Sequence, residues 1–256
     1  MTFASLLSCV LLPAVAFAET PAEKGRRISA EAEKAGDGFK SESSLMTMIL
    51  INAQGDRVER KMRSRTMEVD GDGDRAIITF EWPADVKGTK LLTWSHKKDE
   101  DDQWLFLPSL KRVKRISSRN RSGSFMGSEF AYEDLGSQEL DKYTDYKWLR
   151  QETVDGRPVE VIERVPTDRR SGYSRQIVWM DTGYQWPVKI EFYDRKNELL
   201  KTMTFSGWKQ FGRYWRAGGI KVENHQTKKS SELSWEDRKL GVDVSASEFE
   251  SANLDE

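Results

Sequence analysis

The chain has very few of the residues that build disulfide frameworks and metal sites. Its 256 residues include one cysteine, Cys9, and two histidines, His96 and His225. A lone cysteine has no partner for an internal disulfide, and two histidines far apart in sequence do not form a patterned set of metal ligands. These scarcities exclude a disulfide-based scaffold. We predict that the protein uses neither a metal ion nor a cofactor.

Motifs of catalysis and nucleotide binding are also missing. The sequence has no nucleophile motif, no P-loop and no G-x-G-x-x-G fingerprint of dinucleotide-binding proteins. Acidic residues within 70–81 match four positions of a calcium-binding loop, but Arg75 stands where that loop requires glycine. We therefore interpret this stretch as a solvated hairpin turn. The prediction is a protein that is not an enzyme, with an envelope hydrolase as the weakest alternative.

The chain lacks a net excess of charge of either sign. It has 41 Lys and Arg residues against 42 Asp and Glu residues, a formal net charge of -1. A protein that binds a polyanion over much of its surface needs a positive excess, so we predict no nucleic-acid partner. Any electrostatic function has to come from a local cluster of charges.

Charged residues are absent from residues 1–18, which end in Ala16-Phe17-Ala18. An apolar stretch followed by a small-x-small site is typical of a cleaved secretory signal peptide. The stretch is too short to span a bilayer comfortably. We predict a signal peptide over 1–18 and a single exported domain over 19–256.

Strand-forming residues, in contrast, are abundant. Across residues 44–237, runs of β-branched and aromatic residues alternate with short turns that contain Gly, Asp or Asn. In one such run Ile190 and Phe192 share a face, and polar residues occupy the other. Good helix formers over 21–34 predict one N-terminal helix that lies on the body as a cover. The sequence thus indicates a mainly β protein, whose roughly eleven sequential antiparallel strands must curl or close.

Residues 103–135 combine apolar, basic and flexible segments more closely than any other part of the chain. An apolar run, 104–107, precedes a basic run, 111–116, and a Ser- and Gly-rich stretch with a second apolar group follows. Side chains of the basic run alternate so that charge falls on both faces of a strand. Neither face can then be fully buried, which predicts a rim or edge strand.

Two interpretations of the basic run remain open. Its cations could pair across strands with the acidic residues 99–102 and protect a sheet edge. They could instead dock anionic headgroups or an acidic partner. The candidate docking residues are Lys111, Arg112, Lys114, Arg115, Arg119 and Arg121.

The second apolar group could be a fixed plug or a mobile gate over a cavity for a greasy ligand. Methionine adapts its shape to variable apolar ligands, and Gly123 and Gly127 flank Phe125 and Met126 and permit hinge-like motion. We favour the gate. The candidate lipid-binding or gate residues are Trp104, Phe106, Phe125, Met126, Phe130 and Tyr132.

The stretches WLFLP (104–108), KRVKRI (111–116), SFMGSEF (124–130) and YEDL (132–135) resemble the signature of the outer-membrane lipoprotein-sorting family. This family is related to the LolA and LolB periplasmic carriers. VWMD (178–181) and WPVKI (186–190) are supporting matches. The resemblance implies an unclosed antiparallel β-barrel with helical lids, a periplasmic location, and an apolar cavity for acyl chains.

From the resemblance we expect a carrier that binds lipid or lipoprotein acyl chains in an apolar, partly empty half-barrel. It would move them between membranes or to and from a lipid transporter. Expected partners are the acyl chains themselves, an inner-membrane lipid exporter and, transiently, a membrane surface. The alternative is a non-catalytic adaptor subunit of an envelope transporter, whose barrel would be filled.

Overall fold

The computed structural model describes residues 18–255. Residues 1–17, which carry Cys9 and nearly all of the predicted signal peptide, and residue 256 lie outside the described residues. None of the helices within the described range is long and apolar enough to cross a membrane.

The N-terminal helix, α1, covers Pro21–Gly36 and confirms the helix expected over 21–34. Its start is fixed by a capping box, in which the backbone N–H of Glu23 donates to the Thr20 side chain (3.2 Å) and the Glu23 carboxylate accepts from the Thr20 backbone N–H (2.8 Å). Ile28 on α1 is buried in the main core. Gly25 of α1 lies very close to Trp148: a Cβ on Gly25 would come within 2.9 Å of the Trp148 backbone nitrogen. Helix α1 therefore packs tightly against the backbone of the strand that contains Trp148.

Fifteen strands follow, joined by short connections that include several 3-10 helices. The strands are β1 (Ser41–Ile51), β2 (Arg57–Met67), β3 (Arg75–Trp82), β4 (Lys90–Trp94), β5 (Asp102–Leu107), β6 (Arg112–Ile116), β7 (Tyr143–Val154), β8 (Arg157–Pro166), β9 (Tyr173–Asp181), β10 (Trp186–Asp194), β11 (Leu199–Ser206), β12 (Lys209–Phe211), β13 (Tyr214–Arg216), β14 (Gly219–Asn224) and β15 (Ser230–Leu240). The 3-10 helices are Pro108–Leu110, Ser118–Asn120, Tyr132–Leu135, Leu140–Lys142, Ala246–Phe249 and Ser251–Asn253.

Thirteen strands form one antiparallel sheet in the order β6-β5-β4-β3-β2-β1-β15-β14-β11-β10-β9-β8-β7. The end strands β6 and β7 are not paired with each other within residues 18–255, so the sheet curls without closing. This confirms the unclosed antiparallel barrel with an N-terminal helix. It also confirms that the basic run lies on an edge strand, because among the described residues β6 pairs with β5 and with no other strand.

The expected count of about 11 strands is lower than the 15 observed, in part because one stretch folds back on itself. β12 and β13 form a separate two-stranded hairpin between β11 and β14. At its base, Gly207 and Gly218 approach so closely that a Cβ on Gly218 would lie 2.7 Å from the Gly207 carbonyl oxygen. Short strands joined by glycines read in the sequence as continuous runs, so the hairpin was not expected.

Apolar side chains divide between the two faces of the sheet. The inner face carries the largest cluster, which includes Met48, Met62 and Phe80. The outer face carries two smaller clusters, one around Val161 and Trp179 on the β7–β10 side and one on the β3–β6 side. In the latter, Phe249 and Leu254 of the C-terminal segment (residues 243–255) are buried with Leu92, and the partly buried Trp94, Trp104, Phe106 and Val113 pack against them.

Candidate functional site

The connection between β6 and β7, residues 117–142, lies against the inner face of the sheet. We call it the central segment. Phe125 is 0% and Phe130 2% exposed, and both belong to the inner cluster together with Met48 and Phe80. Because a connecting segment is normally solvated, such complete burial of two aromatic rings indicates that this one completes the core.

A tight loop at residues 124–131 presents these rings. The Phe125 backbone N–H donates to the Phe130 carbonyl oxygen (2.7 Å), and the Ser128 hydroxyl donates to the Phe125 carbonyl oxygen (2.7 Å). At the tip, Met126 (φ 50°) and Gly127 (φ 79°) are both left-handed, a conformation that glycine adopts without strain. The local sequence therefore forces a reversal that points both phenylalanines the same way.

Apolar contacts hold the loop against the sheet. The Phe125 ring lies 5.8 Å from that of Phe80 on β3 and 5.6 Å from that of Tyr132, which it meets edge to face. At the tip, Nη1 of Arg60 donates to the Met126 carbonyl oxygen (2.5 Å). Burial lowers the pKa of the Arg60 guanidinium.

A buried ion pair fixes the second half of the segment. Nζ of Lys201 on β11 lies 2.5 Å from Oδ2 of Asp134 and also donates to the Glu129 carbonyl oxygen (3.0 Å). Asp134 accepts further from the hydroxyl of Tyr173 (2.7 Å) and the backbone N–H of Ala131 (2.6 Å). Burial, reinforced by the Asp134 charge, raises the pKa of Tyr173 well above its ordinary value. A buried carboxylate with three partners is fully satisfied, which the interior requires.

Further polar anchors come from strands at several points around the sheet. The Glu129 backbone N–H donates to the Ser231 hydroxyl (3.0 Å), and its carboxylate accepts from Nδ2 of Asn224 (2.7 Å). Nε2 of Gln103 donates to the Tyr132 carbonyl oxygen (2.9 Å). Each anchor adds a modest net free energy, about 1 kcal/mol, so the set as a whole fixes the segment.

A cluster of ion pairs surrounds the start of the segment. The buried guanidinium of Arg121 lies 2.9 Å from Asp168 and 3.1 Å from Glu100, and Glu100 also pairs with Arg170. Glu100 belongs to the β4–β5 turn, whereas Asp168 and Arg170 belong to the β8–β9 loop. These charges therefore connect two distant parts of the curled sheet through the central segment.

Two clefts border the central segment. One, of about 440 Å³, lies beside Phe130 and Lys201. The other, of about 660 Å³, lies beside Arg121 and Tyr143. Polar and charged side chains form much of both walls. We expected an apolar and partly empty inner face; instead, Phe125 and Phe130 occupy the apolar region and the clefts lie at its polar margins.

The structure separates the six candidate lipid-binding residues into two groups. Phe125, Met126, Phe130 and Tyr132 pack in the inner cluster. Trp104 and Phe106 lie on the outer face, where Trp104 meets the ring of Trp94 (5.1 Å) beneath the C-terminal segment. Alternate residues of a strand face opposite ways, so Leu105 points inward while its two neighbours point outward. The six candidates therefore do not lie together at one site, and their lipid-binding role remains a prediction.

The candidate docking residues divide as well. Arg115 pairs with Asp102 across β5 and β6, and Arg121 is buried in the ion-pair cluster described above. These two fit the pairing interpretation of the basic run, and burial removes Arg121 from any docking surface. The remaining four, Lys111, Arg112, Lys114 and Arg119, are exposed.

The acidic turn between β2 and β3 is held by His96. Oδ2 of Asp72 lies 2.7 Å from Nδ1 of His96, and Oδ1 accepts from the Lys97 backbone N–H (3.0 Å). Within residues 18–255, no three His, Cys, Asp or Glu side chains are grouped so that they could hold a metal ion. Asp72 therefore has a structural role, because it ties the turn to residues 96 and 97.

Sequence reasoning missed Lys201, Tyr173, Ser231 and Asn224, which hold the central segment from distant strands. One signal was present. On β11, Lys201 shares a face with Met203, which is buried in the inner cluster, so the strand places a lysine on an apolar face. A charge in that position predicts a buried partner, although the sequence does not say which.

Comparison with known proteins extends over most of the chain. A protein family described as "Uncharacterized protein" matches residues 72–256. No curated protein matches the chain significantly. Among solved structures, a domain from Vibrio parahaemolyticus assigned to the outer-membrane lipoprotein-sorting proteins is 48% identical, with a TM-score of 0.89 over 92% of this chain and 100% of that domain.

Two further solved structures share the fold. A DUF1329-family protein from Desulfovibrio piger is 28% identical, with a TM-score of 0.87 over 92% of this chain and 99% of that protein. A LolA-superfamily protein from Nitrosomonas europaea is 21% identical, with a TM-score of 0.70 over 88% of this chain and 97% of that protein. The resemblance carried by residues 103–135 is thus confirmed. This chain belongs to the outer-membrane lipoprotein-sorting protein family, and it shares its fold with the LolA-superfamily protein from Nitrosomonas europaea.

Proposed function

We propose that the protein is a periplasmic carrier that binds lipid or lipoprotein acyl chains on the inner face of its half-barrel. It moves them between membranes or to and from a lipid transporter of the inner membrane. The observation that supports this most is the covering of the apolar inner face by a single connecting segment, in a member of the lipoprotein-sorting family. In this proposal an entering acyl chain takes the place that the central segment occupies on the inner face.

The exchange is energetically reasonable. Burial of Phe125 and Phe130 contributes about 1.5–3 kcal/mol for each ring. An acyl chain gains about 0.8 kcal/mol per buried CH₂, so about four to eight methylenes match both rings. Each hydrogen bond lost from the segment adds about 1 kcal/mol to the cost. A long acyl chain can therefore displace the segment, whereas a short one cannot.

A specific observation also favours the alternative of an adaptor subunit. The inner face is filled, with Phe125 fully buried and the segment anchored by a buried ion pair. A permanently filled barrel would have only its surface available for function. The two proposals differ in whether the central segment leaves the inner face.

The test begins with protein purified from its native compartment and extracted with organic solvent, because mass spectrometry of the extract identifies bound lipid directly. A fluorescent long-chain fatty acid is then titrated into the lipid-free protein. The carrier proposal predicts recovered lipid in near-stoichiometric amount and saturable probe binding that strengthens with chain length. Absence of lipid together with absence of probe binding would support the adaptor, and chemically altered lipid would indicate a hydrolase.

A further inference from the structure

The large apolar side chains that are most exposed lie at one end of the sheet. Among residues 18–255 they are Val58 (51% exposed), Trp82 (50%) and Leu110 (66%). Strands β1 to β6 are consecutive antiparallel neighbours, so their β1–β2, β3–β4 and β5–β6 connections share an end. Val58 begins β2, Trp82 ends β3, and Leu110 lies in the β5–β6 connection. Single exposed hydrophobic residues are ordinary, but three at one end of a sheet are typical of an interaction surface.

Contacts between the connections place these residues close together. Trp82 on β3 pairs with Lys61 on β2, and Lys61 lies three residues along β2 from Val58. A Cβ on Gly88 in the β3–β4 connection would lie 3.2 Å from Cγ of Pro108 at the start of the β5–β6 connection. With neighbouring strands about 4.8 Å apart, β2 and β5 are separated by roughly 15 Å.

These connections, taken together with the first residues of β2 and β6, carry an excess of positive charge. Residues 52–57, 83–89 and 108–112 together contain four Lys or Arg residues and two Asp residues. Lys87, Lys111 and Arg112 are exposed. Lys111 is held in a left-handed conformation (φ 44°), and its backbone N–H donates to the Pro108 carbonyl oxygen (3.1 Å). Leu110 therefore stands at the tip of a fixed turn beside two cations.

This end of the sheet borders the tip of the central segment. Leu50 on β1 is the register partner of Val58, and its Cδ2 lies 4.0 Å from the position of a Cβ on Gly127. Arg60, two residues along β2 from Val58, donates to the Met126 carbonyl oxygen. A molecule seated on the exposed apolar residues would thus lie next to the loop that covers the inner face.

We propose that this end of the sheet, consisting of Val58, Trp82 and Leu110 with Lys87, Lys111 and Arg112, docks on the surface of an anionic lipid bilayer. Tryptophan favours the headgroup level of a bilayer, leucine gains by entering the acyl region, and the cations are attracted to anionic headgroups. This inference rests on the proposed function, because docking brings an acyl chain to the edge of the central segment at Met126. It replaces the broader docking cluster expected from the sequence with a surface that includes apolar anchors.

Vesicle sedimentation tests the proposal, with phosphatidylglycerol–phosphatidylcholine vesicles compared with pure phosphatidylcholine vesicles. Wild-type protein should bind the anionic vesicles and lose most of that binding at high salt, which screens exposed charges. The Trp82→Ser/Leu110→Ser variant should bind about tenfold more weakly, given the apolar area it no longer buries. The Lys87→Ser/Lys111→Ser/Arg112→Ser variant should lose about fivefold in affinity per cation removed.

A matched control removes three exposed lysines elsewhere, Lys147, Lys209 and Lys239. This triple variant has the same net charge as the docking variant and should keep nearly all of the wild-type affinity for vesicles. Thermal melting shows that each variant is folded. Equal losses in the two triple variants, wild-type affinity in the Trp82→Ser/Leu110→Ser variant, or no vesicle binding by the wild type would each overturn the proposal.

Vesicle binding and fatty-acid probe binding test the docking surface and the carrier proposal separately. Fatty-acid probe binding in solution, without vesicles, should be unchanged in both docking variants. If the wild-type protein binds the fatty-acid probe but not the vesicles, the docking proposal is wrong and the carrier proposal stands. If it binds the vesicles but not the probe, the carrier proposal is wrong and the docking proposal stands.

Discussion

Besides helix α1, two segments cover the sheet of this protein, one on each face, and they are held in different ways. The C-terminal segment covers part of the outer face with Phe249 and Leu254, both fully buried. Its polar contacts are the Trp94 indole N–H, which donates to the Phe249 carbonyl oxygen (2.6 Å), ion pairs from Arg65 and Arg75, and a hydrogen bond from Nη2 of Arg65 to the Asp243 carbonyl oxygen (2.7 Å). Its apolar side chains pack directly on the sheet, and both of its ion pairs are partly exposed to solvent.

The central segment covers the inner face with equally buried rings, but it adds a buried ion pair and several hydrogen bonds to distant strands. Two clefts lie along its margins, and glycines and serines surround its apolar tip. Polar anchors of this kind are net weak, because water replaces them when they break. The two covers therefore differ in the chemistry of their anchors and not in the burial of their rings. In the carrier proposal, this difference is what lets the central segment leave the inner face while the C-terminal segment stays.

The largest effect is expected on the outer face. Phe249→Ala should lower the free energy of unfolding by about 3–5 kcal/mol, because the removal of a fully buried ring loses its packing and leaves a cavity. Urea denaturation measures the loss. Phe125→Ala should cost less, since the destabilisation saturates at the free energy with which the central segment opens locally. Equal losses in the two variants would mean that both covers are permanent.

The buried ion pair comes next. Lys201→Met leaves the Asp134 carboxylate without its cation and should cost about 3 kcal/mol, the lower end for a broken buried pair because Tyr173 still donates to Asp134. Adding Asp134→Asn should recover part of the loss. Hydrogen exchange should show increased opening of residues 121–134 in the single variant, with β1 and β2 protected as before. Uniform loss of protection would instead assign the pair to the global fold.

A smaller effect is expected from the tip of the loop. Phe125→Ser combined with Met126→Ser should accelerate both uptake and release of a fluorescent fatty acid by about tenfold, equivalent to about 1.4 kcal/mol of barrier. The variant should also expose apolar surface in the lipid-free form. Leu254→Ser on the outer face is the matched control and should leave these rates unchanged. Wild-type rates in the double variant, with the fold intact, would identify the loop as a fixed wall.

A separate effect concerns pH. Burial raises the pKa of Glu139 in the central segment to about 7, with the nearby Glu33 adding to the rise, and burial raises that of Asp74 to about 7. Both groups bind protons more tightly when folded than when unfolded, where they titrate near pH 4. The contribution of these two groups to the free energy of unfolding should therefore be greatest below pH 4 and should be lost as the pH rises to about 7.

Thermal melting between pH 4 and pH 8 measures this dependence. Glu139→Gln combined with Asp74→Asn should flatten the curve and raise the melting temperature at pH 8. An unchanged slope in that variant would show that other groups set the pH dependence of stability.

Much of the fold follows from sequence because period-2 alternation is a local property. Ile190 and Phe192 share a face in the sequence pattern and lie together in the inner cluster. The edge position of β6 followed from charge on both of its faces. In the run 104–107, however, every residue is apolar, so alternation could not show that Trp104 and Phe106 face outward. Phe249 and Leu254 cover these outward-facing rings, and the segment that contains them has no periodic apolar pattern that would have predicted it.

The site was less accessible to sequence reasoning because its anchors are distant in the chain. Asp134 lies 67 residues from Lys201, and Glu129 lies 102 residues from Ser231. Pairings of this kind follow from the register of the curled sheet and not from any local motif. Sequence did locate the segment itself, since Phe125 and Phe130 stand among glycines and serines beside a basic strand.

Hydrogen exchange with and without a long-chain fatty acid tests the central claim most directly. The account predicts that lipid releases protection at residues 121–134, including the Phe125 and Ser128 amides that now donate within the loop. Residues 243–255 on the outer face should keep their protection in the same experiment. Bound lipid with unchanged exchange in the central segment would contradict the account, because the segment would then be a permanent part of the core.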